Sequence, residues 1–273
     1  MGHGKLKKFA ENETFSCLLQ PSAEDVLSQG YDNLTDHPVK GRWVEKMFGA
    51  HEGDIVLELG CGKGEYTLEL ARRNPDKNYI GVDIKGARLW RGAKTATEEG
   101  LPNVAFLRTR IEFIGAFFGP DEVSEIWLTF SDPQLKASAN KRLSSPIFLE
   151  RYRRFLKHGG LIHLKTDSRF LFEYTHAVAS VNGLHILAET TDLYGPGTKD
   201  VRQQAAPIDK LPAEVREVQT FYEKMFLDMG LPITYLEFCP DHDGPYVDPR
   251  DPEDFDSALW RTMEGPRRSF SHK

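Results

Sequence analysis

Val56-Leu57-Glu58-Leu59-Gly60-Cys61-Gly62-Lys63-Gly64 ends one apolar run and opens a helical one. Ile55 to Leu59 is short and apolar enough for a strand buried on both faces, and Glu65 to Arg73 follows with Leu68, Leu70 and Ala71 at helical spacing. Between them, three glycines let the chain turn tightly and let a ligand approach where a Cβ would clash, while the first amides of the helix lack intrahelical partners. Cys61 reads as a small residue in that turn. Two acids frame it. Glu58 stands two positions before Gly60, and Asp83, 23 residues after Gly60, ends a second strand, where a carboxylate can accept hydrogen bonds from both hydroxyls of a ribose. The spacing is GxGxG, not the GxGxxG of a dinucleotide fold whose pyrophosphate rests on the helix end. Plain turn glycines and strand-capping acids are the alternative reading of the same residues.

Working outward, the chain alternates strand and helix. Strands are expected at Asn78 to Asp83, Val104 to Leu107, Glu125 to Phe130, Leu161 to Thr166, His185 to Glu189 and Thr234 to Phe238. Helices are expected at Ala87 to Glu99, closed by Gly100 and Pro102, at Pro146 to Leu156, ended by Gly159 and Gly160, and at Phe170 to Val181 and Ala213 to Met229. This pattern implies an α/β fold: a Rossmann-like, doubly wound and mostly parallel sheet with a last antiparallel strand, its ligand site at the carboxyl ends of the strands. Residues 1–50 lack sustained periodicity and are expected to form an N-terminal arm leading into a helix around Gly41 to Phe48. Residues 51–239 form the central domain, with ordered structure starting near Asp54 and a loop from Asp192 to Pro212. Residues 240–273, dense in Asp and Pro, are expected to be a disordered acidic tail.

Composition narrows the classes. No apolar run reaches the roughly 18 residues of a membrane span, and the basic start has no apolar segment behind it, so a cytoplasmic location is expected. Cys17, Cys61 and Cys239 are scattered and odd in number, which speaks against a disulfide framework or a zinc site, and no metal is expected. The net charge of −6 conceals segregation. From Lys136 to Arg169 nine basic residues face two acids, whereas from Glu237 to Asp256 eight acids face Arg250 alone. A polyanion such as RNA could use the first stretch, and a solvated helix face is its alternative reading.

Further segments carry a family resemblance between about Ile55 and Phe238. GxGxG preceded by Glu58 resembles the first motif of S-adenosylmethionine-dependent methyltransferases, whose cofactor carries no phosphate and has a cationic end that tolerates a carboxylate. Leu128-Thr129-Phe130-Ser131-Asp132-Pro133, with Lys136 and then Lys141-Arg142, is similar to the FSDP or FPDP motif and basic cluster of the bacterial tRNA (guanine-N7)-methyltransferases. Leu161-Ile162-His163-Leu164-Lys165-Thr166-Asp167 resembles that family's strand ending in Thr-Asp, and Thr220-Phe221-Tyr222-Glu223 its TxYE signature, followed by Phe226. The chain departs from the family pattern at Gln134, Ser138, Ala139, Leu143 and Met225, and Thr109 stands where the family has an acid near the adenine.

The resemblance implies methyl transfer from S-adenosylmethionine to N7 of a guanine in tRNA, in the variable loop. It implies cofactor contacts from Glu58, Gly60, Gly62, Gly64, Asp83, Thr109 and Asp132, and substrate contacts from Lys136, Lys141, Arg142, Thr166, Asp167, Thr220 and Glu223. Guanine N7 already carries a lone pair, so in-line positioning is the main task and no activated nucleophile is required. Positive charge grows on the base as the methyl arrives, which gives Asp132 and Asp167 a catalytic role. Each has a local alternative: Asp132 as a turn residue before Pro133, Asp167 as a helix cap, Thr220 and Glu223 as a capping box. His163 is expected on the packed side of its strand, and Phe113, Phe117 and Phe118 in the core. The rival functions are a methyltransferase acting on a protein or small molecule, a non-catalytic RNA-binding module of the same fold and, more distantly, a nucleotide-dependent dehydrogenase. Nothing in the sequence specifies a monomer or a homodimer.

Overall fold

The computed structural model describes residues 3–30, 33–136, 138–195 and 211–264. Its strands are β1 (Leu18–Leu19), β2 (Ile55–Leu59), β3 (Asn78–Asp83), β4 (Val104–Arg108), β5 (Val123–Thr129), β6 (Leu156–Thr166), β7 (His185–Thr190) and β8 (Thr234–Cys239). They form one sheet in the order β1-β4-β3-β2-β5-β6-β8-β7, parallel from β1 to β6, with β8 antiparallel to both β6 and β7. The helices are α1 (His3–Asn12), α2 (Ala23–Leu27), α3 (Trp43–Met47), α4 (Glu65–Arg73), α5 (Gly86–Glu99), α6 (Pro146–Tyr152), α7 (Arg169–Val181), α8 (Ala213–Glu217), α9 (Phe221–Asp228) and α10 (Ser257–Glu264). Among the described residues no helix is long and apolar enough to cross a membrane.

Local chemistry explains the elements that position the site. All of β2 is buried, so its apolar run packs against helices on both faces. Gly100 ends α5 in the left-handed conformation, returning its N–H to the carbonyls of Ala96 and Thr97. Phe113, Phe117 and Phe118 are buried in the core as expected, with Phe118 stacked on Trp43 at 5.1 Å. His163 is buried too, stacked on Trp127 at 4.1 Å with Nδ1 2.8 Å from the Tyr235 hydroxyl.

Three regions fold differently from the sequence expectation. The expected arm is built into the domain: Leu18 and Leu19 pair with Phe106 and Leu107 of β4, and Asn12 donates to the Gly86 carbonyl at 3.0 Å. Glu11 accepts from Trp90 and Lys94 of α5, both at 2.8 Å. A two-residue strand has no detectable period, and the exposed edge of β4 recruits it through pairing the sequence does not display. The expected helix from Ala213 to Met229 is two helices, broken at Val218 to Thr220, where Thr220 caps α9. The tail as far as Glu264 is folded: Phe255 packs edge-on against Phe170 and Tyr174 at 5.3 and 5.5 Å, and the Tyr174 hydroxyl donates to Asp248 at 2.6 Å. A few aromatic anchors outweigh the polar composition there. Residues 196–210 of the expected loop and 265–273 of the expected tail lie outside the described residues.

Candidate active site

The chain runs from β2 to β3 and β4 in one direction, then from β5 to β6 in the other, so strand order reverses between β2 and β5. An open α/β sheet forms its ligand crevice at such a reversal, outside the carboxyl ends of the strands. Gly60, Gly62 and Gly64 sit there with φ of 83°, 59° and 72°, conformations that L side chains resist. Their tasks differ. Among the described residues a Cβ on Gly60 or Gly62 would meet nothing within 4 Å, whereas one on Gly64 would come within 2.5 Å of the Phe106 ring. The first two keep the turn's outer face open, and the third lets α4 settle onto the sheet.

Asp83 is buried and fastens this turn from the neighbouring strand. Its Oδ2 accepts from Gly62 N at 3.1 Å and its Oδ1 from Lys85 N at 2.7 Å. Beside it, Ile84 is 53% exposed, an apolar surface at the strand end that the sequence reading did not single out. Thr109 is buried just past the end of β4, one residue beyond Arg108, the register partner of Asp83.

Glu58 lies 4% exposed below the glycines. It accepts from the Thr67 amide at 2.8 Å and from the Thr67 and Thr129 hydroxyls. No cation accompanies it among the described residues, and burial raises its carboxyl to about 7 despite those three donors. Thr129 ends β5, so this contact ties the two strands at the reversal.

Beyond Thr129 the backbone is strained: Phe130 and Gln134 have φ of 49° and 53°. Phe130 N donates to the Lys165 carbonyl at 2.8 Å, and the exposed Asp132 accepts Gln134 N at 2.8 Å, a side-chain turn closing on itself. The turn alternative for Asp132 therefore accounts for one of its oxygens. Arg142 reaches Pro133 from behind: buried, it donates to the Pro133 carbonyl at 3.1 Å and stacks its guanidinium on Phe170 and Tyr174 at 4.8 and 4.3 Å. That position supports the Ser131 to Pro133 turn and turns the guanidinium away from solvent, while Lys136 and Lys141 are exposed.

Thr166 ends β6 next door, and Asp167 follows it. Thr166 is buried, accepting Ser168 N at 3.0 Å, and the cap of α7 is Ser168, whose hydroxyl accepts Leu171 N at 3.1 Å. The capping alternative for Asp167 thus belongs to its neighbour, and Asp167 stays partly exposed at the rim. Thr220 does cap α9, accepting Glu223 N at 3.2 Å, but Glu223 turns inward and leaves the box open.

There Glu223 meets Lys165, a partner the sequence reading missed. Both are 0% exposed and their charged atoms are 2.7 Å apart. Lys165 also donates to the Val218 carbonyl at 2.9 Å and approaches the Tyr194 hydroxyl at 3.2 Å, which itself donates to Glu223 Oε1 at 2.6 Å. Burial pushes the ammonium of Lys165 down and Glu223 pulls it back. Among the described residues Glu223 Oε2 has no hydrogen-bond partner. A lysine within a buried apolar strand segment was the available signal, because such a charge requires an acid.

These residues share one rim. Phe221 N donates to Glu65 Oε2 at 2.9 Å, setting the start of α9 against the start of α4, and the Phe130 and Phe226 rings are 6.0 Å apart. A separate cleft lined by Gly41, Trp43, Asp121 and Lys157 contains none of the expected site residues.

Residues 52–226 match a family model described as "Putative methyltransferase". The chain is 51% identical to the tRNA (guanine-N(7)-)-methyltransferase of Christiangramia forsetii, over 86% of this chain and 96% of that one. It is 44% identical to the protein of the same name from Bacteroides fragilis, over 98% of each. Among solved structures, an antibiotic-related methyltransferase superposes with a TM-score of 0.52 at 18% identity, over 76% of this chain and 96% of that one, a likeness of fold.

Proposed function

The chain belongs to the tRNA (guanine-N(7)-)-methyltransferase family, and from that membership we propose how its residues divide the work. It is an S-adenosylmethionine-dependent enzyme that methylates N7 of a guanine in tRNA. The acceptor guanine in the variable loop and a cytoplasmic location are part of the proposal.

The crevice suits the cofactor. Glu58 is a buried acid with no cation beside it among the described residues, the turn at Gly60 and Gly62 is open, and Asp83 offers a carboxylate beside the apolar side chain of Ile84. In this reading Glu58 faces the cationic end, Gly60 and Gly62 admit the chain, Asp83 takes the ribose, and Ile84 with Thr109 borders the base. Gly64 acts through packing. S-adenosylmethionine supplies the methyl group as a sulfonium, and the protein's part is to align the acceptor nitrogen. Asp132 and Asp167, at the ends of adjacent strands, balance the charge that develops on the guanine. Lys136 and Lys141 hold phosphates, and Arg142 keeps the Asp132 turn in place. Thr166 positions Asp167, and Thr220 positions Glu223.

Glu223 selects the base: a carboxylate oxygen accepts from the donors on the Watson-Crick edge of guanine. Its unpartnered Oε2 is the candidate, and a base reaching it has to displace the Tyr194 hydroxyl or shift the head of α9. The observation that carries the reading is the shared rim, joined by the Glu58 to Thr129, Phe130 to Lys165 and Glu65 to Phe221 hydrogen bonds.

Incubation with labelled S-adenosylmethionine and unmodified tRNA, with the product mapped to nucleotide and atom, tests it directly. We expect label at N7 of one guanine. Asp167→Ala should lose most turnover while still binding the cofactor, and unchanged turnover would remove it from the mechanism. Glu223→Gln should discriminate guanine from inosine about ten- to a hundredfold less well, the scale of one charged hydrogen bond; unaltered discrimination counts against a base contact.

A further inference from the structure

The molecule carries a net charge of −6, yet its cations are not paired evenly. Toward the amino-terminal edge of the sheet they meet acids: Lys157 with Asp54 at 2.5 Å, Lys77 with Glu125 at 2.8 Å, Arg42 with Glu45 at 2.6 Å. Around the carboxyl-terminal rim Arg110 and Arg169 are paired with Glu112 and Glu173 at 3.1 and 2.6 Å, but the cluster at the glycine turn and the head of α5 is different. Lys63 lies in the glycine turn, Lys85 follows Asp83, and Arg88 and Arg91 occupy successive turns at the head of α5; all four are exposed. From α1, which crosses α5 here, Lys7 is exposed and Lys8 sits 4.4 Å over the Trp90 ring. Arg108 lies 5.2 Å over the Phe9 ring. Among the described residues none of these cations has a carboxylate within 4 Å, whereas Lys94, one turn past Arg91, is held by Glu11 at 2.8 Å.

The expected phosphate ligands lie on the other flank, beyond β5, and are fewer than the sequence suggested because Arg142 is interior. A polyanion held by Lys136 and Lys141 alone would be gripped on one side. We propose that the face formed by α1 and the head of α5, with Lys7, Lys8, Lys85, Arg88 and Arg91, is a second binding surface for the ribose-phosphate backbone of the RNA substrate. The acceptor guanine then enters between two cationic flanks. Unpaired cations release counterions from RNA when they meet phosphates, and the interleaved Trp90 and Phe9 hold the charged ends of Lys8 and Arg108 in place. This inference rests on tRNA being the substrate.

R88A/R91A tests it, since both side chains are exposed and alanine favours the helix. The tRNA affinity of the full chain is measured by filter binding from 0.05 to 0.3 M salt, alongside methyl transfer and S-adenosylmethionine binding. We expect tRNA affinity about tenfold lower at 0.1 M salt and a salt slope smaller by about 1.4 to 1.8, the share of two phosphate contacts. Cofactor affinity and the rate at saturating tRNA should stay at wild-type values, and Arg42→Ala, on the paired edge, should change nothing. Charge reversal in R88E/R91E should weaken tRNA binding further. Wild-type affinity and slope in both double variants, or a loss of cofactor binding in place of tRNA binding, overturns the surface. A wild-type protein that leaves tRNA unmethylated overturns the functional reading instead.

Discussion

Glu58 and Lys165 are both charged residues inside strands, and the two positions behave differently. Glu58 has three donors and no cation among the described residues, and burial raises its carboxyl from the ordinary 4.5 to about 7. Below that pH a bound cation has to expel a proton, so S-adenosylmethionine affinity should rise with pH through about 7 and level off above it. Glu58→Gln should flatten the profile; a flat wild-type profile measured by calorimetry excludes the assigned role. The same raised value sets a stability sign. The folded state favours the protonated carboxyl, a contribution fully present below the unfolded value and lost as pH rises through 7, worth about 3 kcal/mol. Without cofactor, Glu58→Gln should therefore melt above the wild type at pH 8 and not at pH 5. Lys165 is instead fully paired, and Lys165→Met strands Glu223 at a cost of about 3–5 kcal/mol. The double variant K165M/E223Q should recover most of that loss in urea titrations, while K165M alone matching wild type would mean the pair is dispensable.

At the scale of elements, what could be read from the chain depended on how far each element's partner lies along it. Gly60 to Gly64, the five central strands and α5 carry their own punctuation, and they stand close to where glycines and apolar periods put them. Leu18 and Leu19 carry none; their strand exists because β4 has an open edge some 90 residues later. The break at Val218 to Thr220 is of the same kind, since the carbonyl it frees is taken by Lys165 from a distant strand. The site was legible as a set of acids on strand ends, but not that Arg142 points inward or that Glu223 is paired, because both facts depend on long-range partners. Phe255 shows the limit of composition, as one ring in an acidic stretch anchors the segment to α7. Phe255→Ala should cost about 3–5 kcal/mol and, by proteolysis, expose residues 240–264 to cleavage; a protected segment would place the anchor elsewhere.

For the whole molecule, the two rims of the sheet are specialised by chemistry. Toward one, Lys157 and Lys77 are paired with acids, and at the other Lys63, Lys85, Arg88 and Arg91 are exposed beside the crevice at the strand reversal. Stability and substrate grip should accordingly separate under salt: 0.5 M NaCl should abolish tRNA binding while shifting the melting temperature little, because exposed pairs contribute little to folding. Parallel collapse of both quantities would contradict that division.

The antiparallel wedge of β8 between β6 and β7 ties competence to a strand that follows every residue assigned to the reaction. Thr234 to Cys239 follows all of those residues in the chain, and until it is in place β7 has no neighbour to bond and β6 has an open flank. A nascent chain cut short before residue 234 would carry every acid assigned to the reaction and still lack the brace that keeps β6, with Lys165 and Asp167, in line.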